Sequence, residues 1–212
     1  MEVAQQITAL MLTRIADAVA LEQLLEDRRI NALCLGPGMG LSDEKHDLIE
    51  VALKSGRACV LDADALTLIA QSPALFALVH PGCVITPHSG EFRRLFPESN
   101  GRSVLPEITR VAAAKIGCTV LLKGAETVIA TPDGACWQHL ATGVRAAPWL
   151  ATAGAGDVLA GFITGLMARG FDPDKAACHA AFLHVECALA YGPGLIAEDL
   201  AETLPQVLRE YL

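Results

Sequence analysis

The chain has 212 residues, 52% hydrophobic and 19% charged, with a formal net charge of −8. That composition supplies a sizeable core and excludes a disordered chain. The acidic balance excludes a non-specific nucleic-acid binder, which needs clustered Lys and Arg to neutralise phosphates.

The length fits one domain over residues 1–212. No charged-then-apolar leader opens the chain, and no apolar run is long enough to span a membrane, so no membrane association and a cytoplasmic location are expected. The seven cysteines, at 34, 59, 83, 118, 136, 178 and 187, contain no Cys-x-x-Cys pair. Zinc is therefore poorly supported. Cys34, Cys59 and Cys83 lie in apolar runs and read as small buried hydrophobes in a reduced compartment.

In chain order, Thr8 to Leu12 is an apolar run suited to a strand, and Ala18 to Glu26 reads as a helix. Asn31 to Leu35 is a strand stopped by Gly36-Pro37-Gly38. Ser42 can cap a helix that ends at Gly56. Ala58 to Leu61 is a strand ending at Asp62-Ala63-Asp64, and a short helix follows from Ala65 to Gln71. Cys83 to Thr86 is a strand ending at Pro87-His88-Ser89-Gly90, after which Glu91 stabilises a helix start. Pro106 opens a helix that Gly117 closes. Thr119 to Leu122 is a strand ending at Lys123-Gly124. Thr127 to Ala130 and Ala135 to His139 pair as a hairpin around Pro132-Asp133-Gly134. Ala151 to Gly161 is rich in small residues and leads into an amphipathic helix. Asp172-Pro173 starts a buried helix carrying His179, His184 and Glu186, which read as structural. Pro205 reads as near the start of the last helix.

Alternating strands and helices predict an α/β fold: a mostly parallel sheet with helices on both faces. In such sheets ligands bind beyond the carboxyl ends of the strands. The polar and glycine-containing pieces all follow strands, so they line one rim. Gly36, Gly38 and Gly40 read either as a turn or as a backbone wall against a ligand. Asp62 faces substrate or Mg²⁺ in one reading and a solvated turn in the other, while Asp64 is placed to cap a helix. His88, held by Pro87, reads as a substrate contact more readily than as a structural histidine. Lys123 can reach an anion, and Thr127 offers a hydroxyl.

The loop Gly154-Ala155-Gly156-Asp157 sits where a loop becomes a helix, and the free N–H groups and helix dipole there suit a phosphate. An Asp repels phosphate, so Asp157 reads either as a cap or as the base that takes a proton from an attacking hydroxyl. The flanking glycines favour the base.

The pieces Leu35–Gly40, Leu61–Leu66, Ile85–Phe92, Leu122–Thr127, Ala151–Gly161 and Gly194–Leu200 occur in an order that resembles the ADP/ATP-dependent NAD(P)H-hydrate dehydratases. These form a carbohydrate-kinase-like family with a ribokinase-type fold, and the resemblance covers nearly the whole chain. It implies metabolite repair: hydrated NADH or NADPH is dehydrated back at the expense of ADP or ATP. By the resemblance, Asp157 deprotonates the ring hydroxyl, and Ala155 and Gly156 hold the transferring phosphoryl group with Gly154 as part of that loop. Gly36, Gly38, Gly40, Asp62 and His88 meet the hydrated dinucleotide. Lys123, Gly124, Ala125, Glu126, Thr127 and Gly156 meet the adenine nucleotide, whose phosphates Mg²⁺ bridges, with no metal site built from protein alone.

Ser89 stands where the family usually has Pro, and Ala153 where it has Gly. Family members carry a further strand–helix segment before the region matching Thr8, so the resemblance implies a chain lacking that part, sometimes fused to an epimerase domain. A homo-oligomer is expected. The Gly-rich loop alone also permits a hydroxyethylthiazole or sugar kinase, or a nucleotide-binding module without turnover.

Overall fold

A computed structural model describes residues 10–99 and 104–211. Four parallel strands lie side by side in chain order: β1 (Ala32–Leu35), β2 (Ala58–Leu61), β3 (Cys83–Ile85) and β4 (Thr119–Leu122). The antiparallel strands β5 (Glu126–Ala130) and β6 (Cys136–Leu140) extend the same sheet. Leu35 pairs with Leu61, Leu61 with Ile85 and Ile85 with Val120, so the parallel strands end together at one edge.

Helices α1 (Ala18–Leu24), α2 (Asp43–Lys54), α3 (Ala63–Gln71), α4 (Pro73–Leu78), α5 (Ser89–Leu95) and α6 (Leu105–Ile116) precede or link the strands. After β6 come α7 (Ala155–Ala168), α8 (Pro173–Tyr191) and α9 (Ala197–Tyr211). The period of two along each strand sorts the core. Cys59, Leu61, Cys83, Ile85, Val120 and Leu122 face the layer of α2 to α6. Val60, Val84, Leu121 and Ile129 face α7 and α8, where Ala160, Ala176, Ala177 and Ala180 let the helices approach closely. This is the expected α/β architecture, a mostly parallel sheet covered on both faces. Among the described residues no helix is long and apolar enough to cross a membrane.

Several local expectations change. Thr8 and Ala9 lie outside the described residues, and Leu10 to Leu12 form no strand and are exposed. Helix α4 was not expected, although Ser72 accepts the Leu75 N–H at 3.3 Å and Pro73 holds its first position, a readable start signal. Helix α9 starts at Ala197 and carries Pro205 inside it. The carbonyl of Ala201, which loses its donor there, is on an exposed residue, while Leu200 and Val207 bury the opposite face. Ser42 occupies the cap position of α2, but its hydroxyl makes no capping bond. Cys34 is exposed rather than buried, because β1 is the edge strand of the described sheet.

Candidate active site

Backbone hydrogen bonds stitch the strand ends into one rim. Asp62 N–H donates to the Leu35 carbonyl at 3.1 Å, Thr86 N–H to Leu61 at 3.1 Å, and Lys123 N–H to Pro87 at 2.8 Å. The segments expected at the ligand edge are therefore neighbours. Gly36 is irreplaceable there: at φ +123, a methyl group on it would lie 1.7 Å from the Asp62 carbonyl oxygen.

The N-terminus of α7 sits between two cavities. Gly154 precedes it at φ +83, and a side chain there would press on Ala197. Ala155 N–H leans on the Thr152 carbonyl at 3.4 Å, whereas Gly156 and Asp157 N–H groups have no acceptor among the described residues. The free donors are thus those of Gly156 and Asp157, shifted by one residue from the expected Ala155 and Gly156. Asp157 is exposed, and its carboxylate is not the cap, since Gly154 holds that position.

The larger cavity, of about 620 Å³, is lined by Lys123, Gly124, Ala125, Thr127, Gly156 and His184 among others. That is within the range of small-ligand sites. The smaller one, of about 440 Å³, is lined by Cys34, Leu35, Gly36, Pro37, Met39 and Asp157. Adjacent residues, Gly156 and Asp157, therefore open into different cavities.

The other expected residues divide. Gly40 N–H donates to Asp64 Oδ2 at 2.8 Å, so Asp64 braces the glycine turn instead of capping α3. Gly38 and Gly40 keep positive φ but line neither cavity. Asp62 is at the cap position of α3 without making a cap bond; it is 1% exposed, and its Oδ1 takes the Lys123 ammonium at 2.6 Å. It lines neither cavity. His88 starts α5: its Nδ1 accepts from Gly90 N–H at 2.9 Å, and Glu91 returns a bond to His88 N–H at 2.8 Å. Its ring is otherwise half exposed. Ser89 follows at the first helical position, where Pro would also fit. Glu126 accepts from Gln138 at 2.6 Å beside the larger cavity's Thr127.

The sequence reads His184 as structural, and the structure places it on the wall of the larger cavity as well. Its Nε2 donates to the Ala155 carbonyl at 2.9 Å, steadying the first turn of α7, and burial pushes its pKa down to about 4. Glu186 on the same helix ties down the loop after β6 through Arg145 and accepts from Tyr211 Oη at 3.0 Å. A neighbour 29 residues away leaves no local pattern, so only the glycine loop itself was visible.

The NAD(P)H-hydrate dehydratase family model matches residues 1–207. The chain is 37% identical over 197 residues to the bifunctional NAD(P)H-hydrate repair enzyme of Synechocystis sp., covering 89% of this chain and 36% of that protein. It thus spans about a third of the length of such relatives. The ADP/ATP-dependent NAD(P)H-hydrate dehydratase from Bacillus subtilis, co-crystallised with ATP/Mg²⁺, superposes with a TM-score of 0.69 at 29% identity, over 86% of this chain and 65% of that one. A ribokinase-like superfamily protein from Enterococcus faecalis superposes at 0.75 with 27% identity, over 92% and 66%. With a rim built from the expected strand ends and a family model that spans nearly every residue, the chain belongs to the NAD(P)H-hydrate dehydratase family.

Proposed function

We propose that this chain dehydrates hydrated NADH or NADPH at the expense of ADP or ATP. The observation that carries the reading is the division at α7: Gly156 opens into the larger cavity and Asp157 into the smaller. The adenine nucleotide occupies the larger cavity, against Lys123 to Thr127, with its terminal phosphoryl group on the free N–H groups at the helix start. The hydrated nicotinamide ring enters the smaller cavity, along Gly36, with His88 at the rim. Asp157 takes the proton of the ring hydroxyl, and that oxygen attacks the terminal phosphorus. An O–P bond forms while the bond to the departing AMP or ADP breaks. The C–O bond then breaks as inorganic phosphate leaves, and the neighbouring ring carbon loses a proton.

The donor set fits a Mg²⁺ that arrives on the nucleotide. Among the described residues the one group of three close ligating side chains is His46, Asp47 and Glu50 on α2, outside both cavities. When bound, Mg²⁺ supplies charge neutralisation at the phosphates. The Asp157 carboxylate, with no hydrogen-bond partner among the described residues, lines the smaller cavity.

The reading takes residues 1–212 as one domain, in the cytoplasm, where thiols stay reduced; all seven cysteines are free. It includes a homo-oligomer, for which exposed Leu10, Met11 and Leu12 offer apolar surface. It also includes an epimerase partner domain, supported by the bifunctional relative.

The test follows recovery of reduced-nicotinamide absorbance from hydrated NADH with Mg²⁺ and ADP or ATP. Recovery is expected to require the nucleotide and to fall at least about a hundredfold in Asp157→Ala, the scale of a lost general base. A stable phosphorylated product with no recovery would identify a kinase instead. Nucleotide binding without turnover, unaffected by Asp157→Ala, would identify a non-catalytic module.

A further inference from the structure

The Asp62–Lys123 pair is the most enclosed ion pair among the described residues, with side-chain exposures of 1% and 19%. The fold gives up local stability to build it. Asp62 stands at the cap position of α3 with φ −136 and ψ 169, yet its carboxylate makes no capping bond. The next residue, Ala63, has φ +46; among the described residues no other non-glycine residue has a positive φ. That turn aims the carboxylate away from α3 and toward β4. The Asp62 carbonyl is meanwhile packed on Gly36, the wall of the smaller cavity.

The pair lies directly against the first turn of α7. A methyl group at Gly156 would sit 3.4 Å from Lys123 Nζ and 4.0 Å from Asp62 Oδ2. Lys123 lines the larger cavity, and Asp62 lines neither. An ammonium has three donors. One is spent on Asp62 Oδ1 at 2.6 Å, which leaves two to turn toward the cavity beside the free Gly156 N–H.

We infer that Asp62 is a positioning residue that acts through Lys123, holding the ammonium at Gly156 where it meets the nucleotide's terminal phosphoryl group. Asp62 itself touches neither the nucleotide nor the hydrated ring. The inference rests on the proposed placement of the nucleotide in the larger cavity. It also separates Asp62 from a substrate-binding role: a substrate ligand changes the KM for the hydrate, whereas a group acting through Lys123 changes the nucleotide.

The experiment is calorimetric titration of ADP with Mg²⁺ into the full chain, Asp62→Asn, Lys123→Met and the double variant, alongside steady-state kinetics. Lys123→Met is expected to weaken ADP by about tenfold or more, and Asp62→Asn by roughly three- to tenfold. In the Lys123→Met background, Asp62→Asn is expected to add less than about a twofold change, because its effect passes through the missing ammonium. The KM for hydrated NADH stays constant in Asp62→Asn while kcat falls. Asp62→Glu, which keeps the charge but displaces the ammonium, is expected to show the same pattern and stands in should the Asn variant fail to fold.

Additive losses in the double variant overturn the inference, as does a raised KM for the hydrate with ADP binding intact. A defect in Asp62→Asn that extra Mg²⁺ repairs would make Asp62 a metal ligand and overturn it too. ADP binding is read directly, so additive variants defeat this inference alone. An unaltered chain that binds no ADP defeats the proposed nucleotide cavity, and the inference with it.

Discussion

At the scale of single residues, His184 shows how a side chain on the wall of the larger cavity can also hold the helix that opens into it. Its ring lies edge-on to Phe162 at 6.3 Å, and its Nε2–H donates to the Ala155 carbonyl. Burial lowers its pKa from 6.5 to about 4, against the Ala155 bond that favours the charged form and with the nearby Lys123 charge adding to the depression. Between those two values the unfolded chain binds a proton that the folded chain does not, so stability is lost as pH falls from 6.5 toward 4. His184→Gln keeps a donor and removes the titration. Its stability is expected to fall less over that window, by about 2–3 kcal/mol. Urea unfolding at the two ends of the window measures this, and parallel pH dependences for the two proteins would refute the assignment. Asp157 was legible as a residue because its setting is local: three glycines and small neighbours around one carboxylate. His184 was legible only as structural, because nothing within a few residues of it tells which backbone group it holds.

At the scale of elements, the strand and helix patterns carried most of the information. Strands β2 and β4 fall on the expected residues, β1, β3 and β5 differ by a residue at one end, and β6 is displaced by one residue at both ends. β1 to β4 are short apolar runs bounded by Gly, Pro or charged residues, the local signal of a buried strand, whereas β6 is largely exposed and was read from its hairpin turn. The start of α3 was misread because the chain enters it through a left-handed Ala63, which no sequence rule anticipates for alanine. That conformation costs about 1–2 kcal/mol for an L-residue with a Cβ. Ala63→Gly is accordingly expected to be neutral or to stabilise by up to about 1 kcal/mol, after the entropic cost of glycine. Ala114→Gly on the exposed face of α6 is expected to lose about 1 kcal/mol. Equal losses at both positions, read from denaturant midpoints, would remove the argument for strain. Pro205 was misplaced for the opposite reason: packing of α9 on α8 outweighs a local break that the residue type alone would predict.

At the scale of the whole molecule, the larger cavity is assembled from parts distant in sequence: the start of β5, the loop after β6, the first turn of α7 and the side of α8. The loop is held by Trp149 Nε1–H on the Ala188 carbonyl at 2.9 Å and by Arg145 on Glu186. A ligand that binds only this assembled state stabilises it by mass action. ADP at a hundred times its Kd is expected to add about 2.7 kcal/mol, a rise of roughly 5–10 °C in Tm for a chain of this size. Asp157→Ala is expected to show the same rise, because Asp157 opens into the other cavity. A thermal-shift assay reads both, and a rise abolished by Asp157→Ala would place the nucleotide elsewhere.

The sequence by itself determined the alternation of strands and helices, the edge at which the strand ends gather, and the glycine loop that opens α7. Each of those is written within a few neighbouring residues, as periodicity, turn chemistry or a cap. Only the tertiary structure decided that Gly156 and Asp157 open into different cavities, that Asp62 faces Lys123 across 61 positions, and that His184 supports Ala155. Periodicity says which face of an element is buried; it does not say which distant side chain arrives there, because that is set by how the layers pack.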